Sequence, residues 1–190
     1  MNADEDIKIF LIRHGEAGKS WNEDPDPGLS QKGKEQSEDL KIILNEEYSN
    51  SNFDVVSSPL LRAQETAIPL KEQFNCDIII DKTFGEIPSP GVPLSQRSVW
   101  LKNIFETKID DLEDAQSLWR DKIINKIQNL DNDTLIFCHF MVINCIVSWL
   151  ENSDTNVSFY PNYCSITKLL KTRGSINLIE KGRELDTLVN

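Results

Sequence analysis

Apolar residues fall in short runs separated by stretches of helical period. Residues 7–12, IKIFLI, are nearly all apolar and read as a strand covered on both faces. Similar runs predict strands from Phe53 to Val56, from Asp77 to Asp81 around three isoleucines, and from Thr134 to Cys138. Between them lie helical patterns. Ser30 suits the N-cap of a helix to about Tyr48, with Leu40, Ile43 and Leu44 as its apolar face. Ser58 and Pro59 suit the N-cap and first turn of a helix reaching Phe74. Further helices are predicted at about 98–107 and at about 114–130, where Trp119, Ile123, Ile127 and Leu130 recur at helical spacing. A strongly apolar helix follows at about 140–150. The run CSITKLLKTRGSINLIEKG reads as two strands joined near Arg173-Gly174. Strands alternating with helices predict an α/β fold: three α/β/α layers around a mostly parallel central sheet.

Two stretches interrupt the pattern. Residues 15–29, GEAGKSWNEDPDPGL, read as a long loop of the kind that often carries function. Residues 84–97 hold three prolines and two glycines, so no regular element is predicted there. The acidic tract 106–114 reads as a solvated helix start, and Trp100 and Trp119 as core filling. No repeat or low-complexity linker divides the chain. Residues 1–190 are therefore expected to form one domain with a cap-like insertion at about 84–120.

The 190 residues are 39% hydrophobic, enough for a packed core. No apolar stretch approaches the ~20 residues that span a bilayer. The acidic start MNADEDIKIF has no basic or apolar leader region. Cys76, Cys138, Cys145 and Cys164 form no CxxC pair and read as reduced thiols of a cytoplasmic protein. The net charge of −11 argues against nucleic acid or an anionic membrane as partner. It leaves room for a small anion held by clustered arginines. Oligomeric state is not encoded in any pattern, although the final hairpin offers an edge.

Such a cluster is present. The chain has two histidines, and both fall at the carboxyl end of a predicted strand: His14 after IKIFLIR and His139 after TLIFC. In open α/β sheets ligands bind beyond those ends. Arg13 adjoins His14, and Arg62 lies on the first turn of the helix after the second strand. Two arginines, two imidazoles and helix N-termini favour a phosphate. A two-histidine metal site lacks further ligands at suitable spacing.

LIRHGEA at 11–17, SSPLLRAQETA at 57–67 and the strand-end histidine of LIFCHF together resemble the histidine phosphatase superfamily, also called phosphoglycerate mutase-like. The run Gly28-Leu-Ser-x-x-Gly33-x-x-Gln36 resembles that family's first helix entry, and Glu86 in FGEIPSP resembles its acidic residue. The resemblance implies that His14 attacks phosphorus and carries the phosphoryl group. Arg13, Arg62 and His139 then bind the nonbridging oxygens, and Glu86 acts as general acid and later as base. It implies no metal and no cofactor. Glu86 would need a raised pKa for that role.

Phe140 and Met141 depart from the Ser-His-Gly-Gly usual after the late strand, which alters the pocket wall. The chain is shorter than the glycolytic mutases and longer than the phosphohistidine phosphatases. Hydrolysis of a small phosphomonoester is therefore expected ahead of mutase chemistry, which needs more cover. Phosphoglycerate mutase-type transfer and non-catalytic binding of a phosphorylated ligand stand as alternatives. Glu16 reads as a supporting residue. Ser20 and Asn22 lie within reach of phosphate on the loop but are not assigned to it. Asn162 and Tyr163 are read either as a strand entry or as groups presented to the site.

Overall fold

The structure, a computed structural model, describes residues 6–48 and 52–185. The first five residues, part of the acidic start, lie outside these. Six strands form one sheet: β1 (Ile7–Arg13), β2 (Asp54–Ser57), β3 (Ile78–Ile80), β4 (Thr134–Cys138), β5 (Ile166–Thr172) and β6 (Ser175–Glu180). Their order is β3-β2-β4-β1-β5-β6. The pairs among β1 to β4 are parallel, whereas β5 runs antiparallel to β1 and to β6. Gly174, at φ 91°, makes the β5–β6 turn.

Alternation along β1 assigns the two faces. Ile9 and Leu11 pack with Ile136, Ile123, Ile127 and Ile143. Ile136 lies on β4, and the other three come from α4 (Asp114–Gln128) and α5 (Phe140–Leu150) on one side. Phe10 and Ile12 pack with Leu40, Leu44, Ala63 and Leu70. Those belong to α1 (Gln31–Tyr48) and α2 (Leu61–Phe74) on the other. The predicted α/β/α layering is therefore what forms. A third cluster joins Ile87 and Ile104 to Phe140 and Met141. Ile104 lies on α3 (Arg97–Glu106), so part of the 84–120 segment packs directly on the first turn of α5. Among the described residues no helix is long and apolar enough to cross a membrane.

Four local expectations are corrected. The helix after β2 begins at Leu61, not at Ser58-Pro59. Its first N–H donates to Asp26 Oδ1 at 2.7 Å, so the cap comes from the long loop 35 residues earlier. On α1, Ile43 is 45% exposed. The buried face runs instead through Gly33, Ser37, Leu40 and Leu44, because small residues let α2 approach closely. Ser37 Oγ donates to the Thr66 carbonyl across that contact. The proline-rich stretch ends in one turn of 3-10 helix, Leu94–Gln96. The acidic tract holds a 3-10 turn, Ile109–Asp111, and a bridge from Lys108 to Thr155, and α4 starts only at Asp114.

Candidate active site

Register brings the two histidines together. β1 and β4 run parallel with Arg13 beside Cys138, so the next residues, His14 and His139, emerge side by side. Their ring centroids lie 5.2 Å apart. The His14 N–H donates to the Cys138 carbonyl at 3.0 Å, extending the ladder by one bond.

The His14 tautomer is settled by its partners. Nδ1 lies 2.7 Å from the Gly15 carbonyl, which only accepts. Nε2 lies 3.1 Å from Arg62 Nε, which only donates. The proton therefore sits on Nδ1 and the lone pair on Nε2. Burial, and then the neighbouring Arg62 and Arg13, hold the His14 pKa well below 6.5. The ring is a neutral, buried imidazole with its lone pair directed at a guanidinium.

The loop leaving His14 approaches helix α1 so closely that only glycine fits. A Cβ on Gly15 would lie 2.7 Å from the Gly33 carbonyl oxygen, and one on Gly33 would lie 2.1 Å from the Glu16 oxygen. Gly15 N–H also donates to Thr66 Oγ1, which donates to the Arg62 carbonyl. Thr66 thereby joins the His14 turn to the helix carrying Arg62. Glu16 accepts from Ser30 Oγ at 2.8 Å and pairs with Lys32, holding the start of α1. Ser30 caps that helix through the Gly33 N–H.

His139 is fully buried. Its Nε2 shares a 2.7 Å hydrogen bond with Ser58 Oγ, and its Nδ1 lies 3.9 Å from Glu86 Oε2. Burial, then Arg62, His14 and Arg13, push its pKa well below 6.5 as well. Glu86, 11% exposed at its side chain, accepts from the Ile87 N–H. Burial raises its pKa against the opposing pull of Arg62, Ile87 N–H and Arg13. Arg13 donates through Nη1 to the Pro161 carbonyl, and its guanidinium lies over the Tyr163 ring at 4.2 Å. Burial lowers the pKa of both arginines, which still stay cationic.

Three buried nitrogens in this group, Arg13 Nε, Arg62 Nη1 and His139 Nδ1, have no hydrogen-bond partner among the described residues. Two are obligate donors on cations. An anion is the ligand that satisfies them. The cleft above has a volume of 570 Å³ and is lined by Arg13, His14, Arg62 and Glu86 among others. Cys138 does not compete as a nucleophile, because burial pushes its thiol far up.

All five residues singled out in the sequence thus gather within one neighbourhood. Ser20 lines the cleft and bonds to Glu23, whereas Asn22 accepts from the Ser98 N–H and ties the loop to α3. Tyr163 faces the site, its ring 6.1 Å from that of His14. Asn162 shapes the turn instead, accepting from the Tyr163 N–H. Sequence reasoning misassigned Ser58 and missed Thr66, although both stand inside the motif SSPLLRAQETA. Phe105 and Tyr160, also in the cleft, carry no signal in the chain.

An α/β sheet with a neutral histidine, a buried carboxyl and two cations at its carboxyl edge has the chemistry to hold a small anion such as a phosphoryl group. The family model for the histidine phosphatase superfamily (branch 1) matches residues 9–90. Two curated proteins are similar. Phosphoserine phosphatase 1 of Hydrogenobacter thermophilus is 35% identical over 88 residues, covering 43% of this chain and 39% of that protein. The probable phosphoglycerate mutase GpmB of Enterobacter sp. is 28% identical over 125 residues, covering 63% of this chain and 50% of that protein. These matches span at most half the length of either curated relative. The fold also matches a crystal structure of phosphoserine phosphatase from Entamoeba histolytica in complex with 3-phosphoglyceric acid. That TM-score is 0.70 at 20% identity, covering 93% of this chain and 97% of the other. Residues 9–90 are thus similar to the histidine phosphatase superfamily, and the fold is shared with the solved phosphatase structure.

Proposed function

We propose that this protein is a phosphomonoester hydrolase of the histidine acid phosphatase type that works without metal through a phosphohistidine on His14. The observation that carries this reading is the His14 ring: neutral, with its proton held at Nδ1 by Gly15 and its lone pair at Nε2. In the first step Nε2 bonds to phosphorus while the ester P–O bond breaks. Arg13, Arg62 and His139 Nδ1 hold the nonbridging oxygens and neutralise their charge. Glu86, protonated through its raised pKa, gives its proton to the leaving oxygen. In the second step Glu86 takes a proton from water, water oxygen bonds to phosphorus, and the N–P bond breaks.

The 84–120 segment acts as a cap, because Ile87 and Ile104 pack beside Phe140 at the edge of the site. The substrate is a small phosphorylated molecule, in keeping with the net charge of −11. Four free cysteines favour a reducing, cytoplasmic setting.

Phosphate release from p-nitrophenyl phosphate and a panel of phosphomonoesters in EDTA tests the reading, with His14→Ala alongside. Turnover abolished in the variant supports it, and no turnover above the variant on any ester overturns it. The likeness to GpmB keeps mutase transfer as the second reading. Stimulation by a bisphosphorylated primer with little phosphate release would select it.

A further inference from the structure

The wall of the cleft is aromatic where the leaving group must lie. Phe140 follows His139 directly and sits 5.4 Å, ring centroid to guanidinium, from Arg13. Phe105 of α3 stacks on it at 5.1 Å and 27°. Tyr160, from the segment between α5 and β5, meets Phe140 at 5.6 Å and Phe105 edge-on at 6.4 Å. Trp21 from the long loop lines the same cleft. Four aromatic side chains from four separate segments therefore surround space continuous with the phosphate-binding nitrogens.

The charged groups of that space point the same way. Besides Arg13 and Arg62, which serve the phosphoryl group in the reading above, the described residues give the cleft one cation, Lys19. Its side chain is 65% exposed and lies 3.9 Å from Asp24. Glu23 lines the cleft as well and repels a second anion. Arg97 lies over the Trp21 ring at 5.2 Å and is not among the cleft-lining residues. A leaving group carrying a carboxylate finds little to neutralise it. The volume of 570 Å³ also exceeds what a phosphoryl group alone would fill.

We infer that the site prefers phosphomonoesters of uncharged alcohols bearing a flat apolar group, with Phe105, Phe140 and Tyr160 as the residues that set this preference. The inference rests on the phosphatase reading above for turnover, but its binding preference is separable from it. Aromatic faces bind planar apolar groups through area burial and ring–ring contacts. An amino-acid or glycerate phosphate gains neither.

The experiment compares 2-phenylethyl phosphate with glycerol 1-phosphate and O-phosphoserine. All three lose an alkyl alcohol, so differences in leaving-group acidity stay small. The expected kcat/KM for the phenylethyl ester is about 10-fold or more above both others, the scale on which apolar pockets discriminate. In Phe105→Ala the ratio of phenylethyl to glycerol ester falls about 5-fold. Tyr160→Ala, changing a residue that is 48% exposed, supplies the same readout if the first variant does not fold. Equal rates, or a preference for phosphoserine, overturn the inference and leave the phosphatase reading standing. If no ester turns over, that reading falls, and calorimetric binding of the same three compounds decides. About 10-fold tighter binding of the phenylethyl ester supports the aromatic site, and equal binding overturns it.

Discussion

Arg62 Nε donates to His14 Nε2 across 3.1 Å, so the group proposed to hold phosphate also holds the lone pair of the proposed nucleophile. An entering phosphoryl group must draw that guanidinium onto its oxygens and release the nitrogen in the same movement. The planar fork of arginine suits both tasks, whereas the single ammonium of lysine suits neither geometry. Arg62→Lys should therefore keep the fold and lower kcat/KM about 10²–10³-fold, the usual cost of one preorganised oxyanion donor. Phosphate-release kinetics and circular dichroism together check this.

The pH profile should be bell-shaped and displaced to the acid side. His14 must be neutral, and burial with two arginines holds its pKa well below 6.5, so the acid limb lies below that value. In the proposed mechanism Glu86 must be protonated to release the alcohol, and burial raises its pKa above 4.5, so activity should fall as pH rises through that raised value. Glu86→Gln should remove the alkaline limb and lower kcat. An alkaline limb that survives in Glu86→Gln would show that another group is the acid.

Stability should decline as pH falls below about 6.5, the ordinary histidine value in the unfolded chain. His14 and His139 both have depressed folded pKa values, so in this window the unfolded state binds more protons than the native state. Their contribution is present above 6.5 and is lost toward the folded values. Glu86 has the opposite sign: its raised pKa favours the native state at low pH and opposes it as pH rises above 4.5. Urea midpoints of wild type and His139→Gln between pH 5 and 8 test the histidine part. The variant should show the shallower slope.

Ser58→Ala removes the only hydrogen-bond partner of His139 Nε2 among the described residues. The Nδ1 of that ring already has no partner among the described residues. Leaving a buried ring nitrogen unpaired costs about 1–3 kcal/mol. The variant should lose stability by that amount in urea denaturation and lose kcat through a misplaced His139. Ser58→Thr, which keeps the hydroxyl, should restore most of both.

Gly33→Ala places a methyl 2.1 Å from the Glu16 carbonyl oxygen, and backbone on both sides prevents easy relief. A cost of about 1–3 kcal/mol or more is expected, as for other overpacked sites. The strain falls on the turn that carries His14, so activity should drop with stability. Ala at the exposed Lys34, one residue on, should change neither measurably.

Local pattern specified most of the elements. Apolar runs alone predicted a strand at Thr134–Cys138 and a helix at about 140–150, where β4 and α5 form, and strand–helix alternation specified the layered sheet. These depend on neighbours along the chain: period-two or period-3.6 burial, a cap such as Ser30, a break at glycine or proline. Strand-end placement, itself a local property, also marked Arg13, His14, Arg62 and His139 as candidates, and the resemblance to the histidine phosphatase superfamily added Glu86.

Tertiary structure decided what those groups touch. Parallel register between β1 and β4 set the 5.2 Å between the histidine rings. Ser58 looked like a helix cap until a histidine 81 positions away took its hydroxyl and Asp26 took the cap. Ile43 looked buried until small residues on the next face let α2 approach. The aromatic wall of Phe105, Phe140 and Tyr160 has no spacing rule, since its members come from a cap helix, the first turn of α5 and a late loop. Hydrogen bonding and apolar burial reward whichever partners the fold brings within contact, and contact between distant segments is not written in the order of residues.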